Sequence, residues 1–355
     1  MKKIAVIAWL AAASLAGAAQ AQPVGNPATD VRLRVVDVGA GLCVVVTVPG
    51  GHSMLYDAGR GQPNCYNAAI ALVPSGKLDL VVLSHSDVDH VRELPAILRD
   101  FEVGIIIHPG DPRGDVVDGI RLKIDEEARA GARVFNLARN PVTPGTSFPL
   151  GDAKATVVAG WSDGRQTQGP NEPNLNPSGR HNALSLVVRV EYRGHSVLLT
   201  GDTVGRPIDK KDTWCQYAER IMVARASTIP IRSEVLIGQH HGGDNSTSNC
   251  FIKAVQPSWV VFSAGHDYFH PQQSVADRLV SNGVNPLQIL RTDRGDNEGG
   301  TGRTKEWITG ALKGCRDWPG DDDIEVWLPR DPGTPAFAEY LVKRSVCGPR
   351  PKGAQ

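Results

Sequence analysis

Between Ser84 and His90 the chain runs Ser-His-Ser-Asp-Val-Asp-His, so His85, Asp87, Asp89 and His90 offer four metal-ligating side chains within six residues. A turn lets alternate side chains of such a run converge on one point. Imidazole with carboxylate suits Zn, Mn or Fe, and the share of carboxylate brings the harder ion Mn alongside Zn. Asp87 and Asp89 have a second reading as caps of the helix that follows, a common use of Asp at a helix start. Capping does not account for two histidines in the same loop. A second imidazole pair stands in Gln239-His240-His241-Gly242-Gly243. Because the two are adjacent, one is expected to face the metals and the other the substrate. His270 precedes a proline, where a histidine is as often structural as functional, and Asp202 taken alone is an ordinary turn aspartate. His52, His108 and His195 fall outside these motifs and read as surface or packing residues.

These loops have to be positioned by regular elements. Val31–Val38, Leu42–Val48 and Ser53–Tyr56 are short β-rich runs broken by Gly39-Ala40-Gly41 and Pro49-Gly50-Gly51, the pattern of an antiparallel meander. Asp79–Leu83 is a compact apolar strand leading straight into the His85 loop, and a helical stretch through Leu94, Ile97 and Leu98 follows. Val103–Ile107 predicts a strand and Val116–Ala130 a helix with apolar positions Val117, Ile120, Ile124 and Ala128. A Gly-, Pro- and Asn-rich connection, Gly160–Gly179, precedes strands over Leu184–Tyr192 and His195–Leu199. The second half repeats the logic. Asp202 follows a strand end, Thr213–Arg225 is helical, and Val235–Ile237 is a strand that delivers His240 and His241. Ser248–Val255 and Gln272–Asn282 predict helices, Trp259–Ser263 and Leu287–Leu290 strands. From Thr292 the stretch is rich in Gly, Pro and Asp, is expected to pack on the domain or trail from it, and ends in an irregular tail.

The chain ends and the composition bound the setting. Lys2 and Lys3, an apolar run from Ile4 to Leu15, and Ala19-Gln20-Ala21 have the form of a secretory leader over residues 1–21, with too few apolar residues to span a bilayer. No later run is long and apolar enough to cross a membrane, so the mature chain is expected to have no membrane span and to act in the periplasm or outside the cell. Cys43, Cys65, Cys215, Cys250, Cys315 and Cys347 are even in number, as a disulfide framework requires, and none forms a Cys-x-x-Cys pair. Cys43, beside the apolar run Val44–Val48, also reads as a small buried side chain. The 38 basic and 38 acidic residues balance, and without Lys2 and Lys3 the basic count is 36. Proteins that grip long nucleic acid without regard to sequence carry a basic surplus, so composition gives that class no support.

His85-Ser-Asp87-Val-Asp89-His90 resembles the His-x-(His or Asp)-x-Asp-His loop of the metallo-β-lactamase superfamily. Asp37-Val-Gly39-Ala-Gly41, Leu55-Tyr-Asp57-Ala-Gly59, Asn182-x-x-Ser185, Leu198-Leu-Thr-Gly201-Asp202, His240-His241-Gly242 and His270-Pro271 occur in the order of its branch containing the extracytoplasmic domain of the competence protein ComEC. The resemblance covers roughly Val31 to Leu290. It implies an α/β (α+β) fold, a four-layer αββα sandwich, over a hydrolase domain at 30–292, followed by a Gly/Pro/Asp-rich extension at 293–355. It also implies two divalent metal ions, Zn or Mn. His85 and Asp87 would serve one, Asp89, His90 and His241 the other, and Asp202 would bridge them. His181, with Asn182 beside it, matches a position where the wider superfamily has a histidine ligand. Asp89, His240 and His270 become the catalytic candidates. Ala40 and Leu42 depart from the branch's usual Gly-Gln-Gly-Asp turn, and Arg92-Glu93 stand where it has Gly-Gly.

The activity so implied is phosphodiester hydrolysis by a metal-bound hydroxide, on a small phosphodiester or short nucleic acid. A lactonase or β-lactamase would use the same nucleophile on a carbonyl carbon, although Asp87 in place of a second histidine weighs against a β-lactamase. A non-catalytic exported binding module is the third alternative, and retention of every ligand type weighs against it.

Overall fold

A computed structural model describes residues 24–110, 114–160, 169–207, 214–265, 267–294 and 322–341. The leader at 1–21, Cys315 and Cys347 lie outside the described residues. Alternation of apolar side chains across the pleat builds two sheets that share one interior. The first half contributes β1 (Val31–Val35), β2 (Val44–Val48), β3 (His52–Tyr56), β4 (Lys77–Val82), β5 (Glu102–His108) and β6 (Arg133–Asn136). The second sheet takes β7 (Ser147–Leu150), β8 (Ala153–Ala159), β9 (Val187–Tyr192), β10 (His195–Leu199), β11 (Val235–Ile237), β12 (Trp259–Phe262) and β13 (Ile289–Arg291). In both sheets antiparallel pairing gives way to parallel pairing, from β3 to β6 in the first and from β10 to β13 in the second. Parallel neighbours need crossover connections, and those connections carry the helices.

Val44, Val46, Tyr56, Leu80 and Val82 of the first sheet meet Val157, Val188, Val190, Leu199 and Ile237 of the second in a buried layer between the sheets. Val45, Leu55, Val81 and Ile106 point the other way. They pack under α1 (Asn64–Leu72), α3 (Leu94–Asp100) and α4 (Gly114–Ala130). Leu198, Leu236, Val260 and Phe262 do the same under α6 (Tyr217–Arg225), α7 (Asn249–Val255) and α8 (Gln273–Ser281). The layers are therefore αββα. Two short helices, α2 (Val88–Val91) and α5 (Pro177–Asn182), lie at the strand ends that carry the polar loops.

Part of the Gly/Pro/Asp-rich extension packs on the domain as regular strands. β14 (Ile324–Leu328) and β15 (Phe337–Tyr340) extend the first sheet, with β14 antiparallel to β1 in the register Leu33↔Val326. The five β14 residues are all buried, which is why so short a run in Asp- and Gly-rich surroundings holds as a strand. Cys43 is likewise more than a small buried side chain: it is bonded to Cys65, tying the entry of β2 to α1, and Cys215 is bonded to Cys250. Cross-linking residues 22 apart in sequence restricts the unfolded chain. The Cys43→Ala/Cys65→Ala protein is expected to lose about 2–4 kcal/mol of unfolding free energy. Urea titration of the two proteins checks this, and an unchanged midpoint would refute it.

Candidate metal centre

Four strand ends deliver the site. β4 ends at Val82 and releases Ser84–His90, β10 ends before Asp202, β11 before His240 and His241, and β12 before Ser263. Two glycines allow the close approach. A side chain on Gly41 would lie 2.5 Å from the Asp89 carbonyl oxygen, and one on Gly242, whose φ is +85°, would lie 2.4 Å from Pro271. His240 and His241 both adopt left-handed backbone, φ 47° and 54°. That turn aims both rings at Asp202, where adjacency had predicted divergence.

The imidazoles present Nε2 to the centre because their other nitrogens are occupied. His90 Nδ1 donates to Asp57 Oδ2 at 2.7 Å, and His241 Nδ1 donates to the Ser263 carbonyl at 2.7 Å. His85 Nδ1 lies 2.9 Å from Ser84 Oγ, which itself donates to Asp57 Oδ2 at 2.7 Å. The network thus sets one tautomer in all three rings, the arrangement found behind metal-ligating histidines. At the centre His90 Nε2 and His241 Nε2 stand 3.3 Å apart, and each lies within 3.4 Å of Asp202 Oδ1. Asp89 Oδ2 is 3.8 Å from His241 Nε2. On the other side His85 Nε2 is 3.7 Å from Asp87 Oδ2 and 3.9 Å from Asp202 Oδ2.

His181 joins that second group: its Nε2 lies 3.4 Å from Asp87 Oδ1 and 3.2 Å from Ser86 Oγ. Asn182 lies one step out, its amide donating to His240 Nε2 at 3.2 Å, while His240 Nδ1 donates to Asn245 Oδ1 at 2.7 Å. His240 Nε2 is also 3.9 Å from Asp202 Oδ2. The His270 ring is 5.4 Å from that of His240 and 6.4 Å from that of His241, at the edge of the cluster. All six expected ligands, His181 and the three catalytic candidates are therefore gathered in one place. His195 is elsewhere, buried and paired to Glu234 at 2.8 Å.

Burial and charge act in opposite directions here. Burial alone would lower the pKa of His90 and raise that of Asp202. Their mutual attraction prevails, aided by Asp57 and His241, so His90 stands well above and Asp202 well below its ordinary value. His241 is raised by Asp202 against its own burial. His85 goes the other way, held well below by burial and by His90. Burial, with His240 and His241, lowers His270 to about 3, so it is a neutral ring at physiological pH.

The donor set fits a divalent cation. His85 Nε2 and Asp202 Oδ1 are buried without a hydrogen-bond partner, and buried polar atoms left so are costly. His85, His90 and Asp202, and separately Asp89, His90 and His241, each bring ligand atoms within 4.8 Å of one another. Capping does not compete, since the Asp87 side chain makes no cap bond to α2. Asp57 and Ser84 had no role assigned from sequence. Both are fully buried, and the Ser84 backbone N–H also donates to Asp57 Oδ1 at 2.7 Å. The available signal was the Leu55-Tyr-Asp57-Ala-Gly59 run, an acid directly after an apolar strand.

Residues 36–266 match the family model of the metallo-beta-lactamase superfamily. Among curated proteins, the chain is 30% identical over 288 residues to the competence protein ComA of Neisseria gonorrhoeae, covering 79% of this chain and 33% of that protein. It is 29% identical over 221 residues to ComE operon protein 3 of Bacillus subtilis (strain 168), covering 61% of this chain and 24% of that one. The chain thus spans a third or less of the length of these relatives. Among solved structures it resembles the metallo-beta-lactamase fold protein YhfI from Bacillus subtilis, with 14% identity, TM-score 0.43, and coverage of 74% of this chain and 95% of that one.

Two outcomes follow from the network. Asp57→Asn keeps the acceptor for the Ser84 N–H but removes the charge behind His90 and His85, and it should weaken metal affinity about 10–100-fold with the fold intact. Competition against a chromogenic chelator, with circular dichroism as control, measures this; wild-type affinity would disprove it. The second concerns protons. The raised His90 holds a proton near neutrality in the metal-free protein, and a cation must displace it. Zinc binding at about pH 7 should release about one proton, read by calorimetry in buffers of differing ionisation enthalpy. By linkage the His90 contribution to metal-free stability is full below about pH 6.5 and is lost as pH rises through its folded-state value. The Asp202 contribution is present above about pH 3.9 and fades as pH falls.

Proposed function

The chain belongs to the metallo-β-lactamase superfamily, most of whose members are metal-dependent hydrolases, and from that premise we propose that it is an exported two-metal hydrolase of phosphodiesters. The carrying observation is the contact of His90 Nε2, His241 Nε2 and Asp202 Oδ1, in which the tautomers set by Asp57 and Ser263 leave lone pairs facing one another. Only a proton or a cation relieves that repulsion. His85, Asp87, His181 and Asp202 would hold one ion, and Asp89, His90, His241 and Asp202 the other, with Zn and Mn both suited to such N/O ligands. Bound there, a metal pair supplies an activated water at neutral pH and offsets charge growing on phosphorus.

The protein's own residues do the rest. Asp202 offers one oxygen to each half of the site. Asp89, nearly a third exposed, faces both the centre and solvent and is suited to orient the attacking water. His240, held by Asn182 and Asn245, and His270, a neutral ring, stand where they can contact the substrate or its leaving group. Export is supported by the leader sequence and by the two disulfides, which persist in oxidising compartments. The even charge balance supports a small phosphodiester or short nucleic acid over long polymers.

The test is metal-dependent hydrolysis of bis-p-nitrophenyl phosphate, run beside a lactone and nitrocefin. Asp202→Ala should retain less than about one hundredth of the wild-type rate, since losing a ligand exceeds the ~10–100-fold cost typical of an outer partner. Hydrolysis of the lactone or nitrocefin instead would move the assignment to a carbonyl substrate. A purified protein without metal or activity would favour the binding module.

A further inference from the structure

Ser86, between His85 and Asp87, faces His181 and also borders a separate cavity of about 180 Å³. That volume is below the ~300–1,000 Å³ of a whole ligand site, so the cavity suits one group of a larger substrate. Its floor is apolar, formed by the buried side chains of Leu83, Val91, Ile120 and Ile124, and its rim carries His108, Arg121, Asn136 and Arg139. Asp125, four residues after Arg121 on α4, acts on His108. Arg139 is exposed and makes no ion pair among the described residues. Asn136 Oδ1 accepts from the Ala138 N–H at 3.1 Å, which leaves its amide N–H groups to donate. Burial, against Asp125 and with some help from Arg139, lowers His108 to about 4, so its ring is neutral and can both donate and accept.

An apolar slot with neutral donors and acceptors at one edge and a guanidinium at its mouth fits a flat heterocycle carrying a phosphate. We propose that this cavity binds the base of the nucleotide next to the scissile phosphodiester, with Arg139 on that nucleotide's terminal phosphate. The proposal rests on the phosphodiesterase reading and narrows its substrate class to nucleotides. The cavity is outside the metal-ligand set, so its loss should change substrate capture and leave the chemistry alone.

Two measurements on the metal-loaded protein test it. Arg139→Gln should raise KM for a 5′-phosphorylated dinucleotide about tenfold, or ~1.4 kcal/mol, with kcat unchanged and bis-p-nitrophenyl phosphate hydrolysis unaffected. Asn136→Asp, which keeps the acceptor for Ala138 but brings an anion to the rim, should act in the same direction. Equal loss on both substrates, or none on the dinucleotide, overturns the proposal. Independently of turnover, calorimetry should detect AMP binding that Arg139→Gln weakens about tenfold, while adenosine, which has no phosphate, binds and is insensitive to the substitution. AMP binding that is absent, or indifferent to Arg139, also overturns it. Because calorimetry needs no catalysis, AMP captured by a protein that hydrolyses nothing would sink the phosphodiesterase reading and leave the base pocket standing.

Discussion

Much of the site depends on one buried carboxylate. Asp57 is wholly enclosed and directly receives the His90 ring, the Ser84 hydroxyl and the Ser84 backbone N–H. An ionised group so placed is tolerated only when its lone pairs are all used. Burial leaves its pKa raised, and the imidazole and serine partners offset only part of that rise. Through Ser84 the same anion orients His85, so one residue outside the ligand set fixes the direction of two rings inside it. It holds left-handed backbone, φ 58°, at the end of β3, which turns the chain sharply away from the strand.

The fold exists around this point as two similar halves packed sheet against sheet. Each half brings parallel strands whose carboxyl ends carry the polar loops, the place where α/β sheets ordinarily bind ligands. His85, Asp87, Asp89 and His90 come from the first sheet, and Asp202, His240 and His241 from the second. The centre forms only when the apolar layer between the sheets is packed, which couples the chemistry to the core. Tyr56 reinforces this coupling, since its hydroxyl crosses from the first sheet to the Leu186 carbonyl beside the second at 2.6 Å.

What sequence made legible follows from this arrangement. The His85–His90 loop could be read directly because its candidate ligands are contiguous and their chemistry does not depend on distant packing. Asp202 and His241 were legible only through the order of motifs along the chain, as neither is unusual alone. Asp57, Ser84 and Ser263 were not legible as functional, because the role of a buried polar residue lies in the partner it finds across the fold. β14 and β15 escaped for a related reason: five apolar-leaning residues become a strand only because β1 leaves an edge to pair with. Six cysteines allow 15 connectivities, and nothing in the spacing selected those that contain the Cys43–Cys65 bond.

The carboxylate content of the ligand set bears on the charge of the centre. With the histidines neutral, Asp87, Asp89 and Asp202 bring three negative charges to a site that, in the proposed reading, holds two divalent cations. In that reading the metal-bound hydroxide takes up the one positive charge left over, and buried Asp57 adds a further negative charge behind His90. The sum of charges therefore does not select an anionic substrate over a neutral one. A phosphodiester would be recognised through direct contact of its oxygens with the cations, which requires no basic surplus over the chain as a whole.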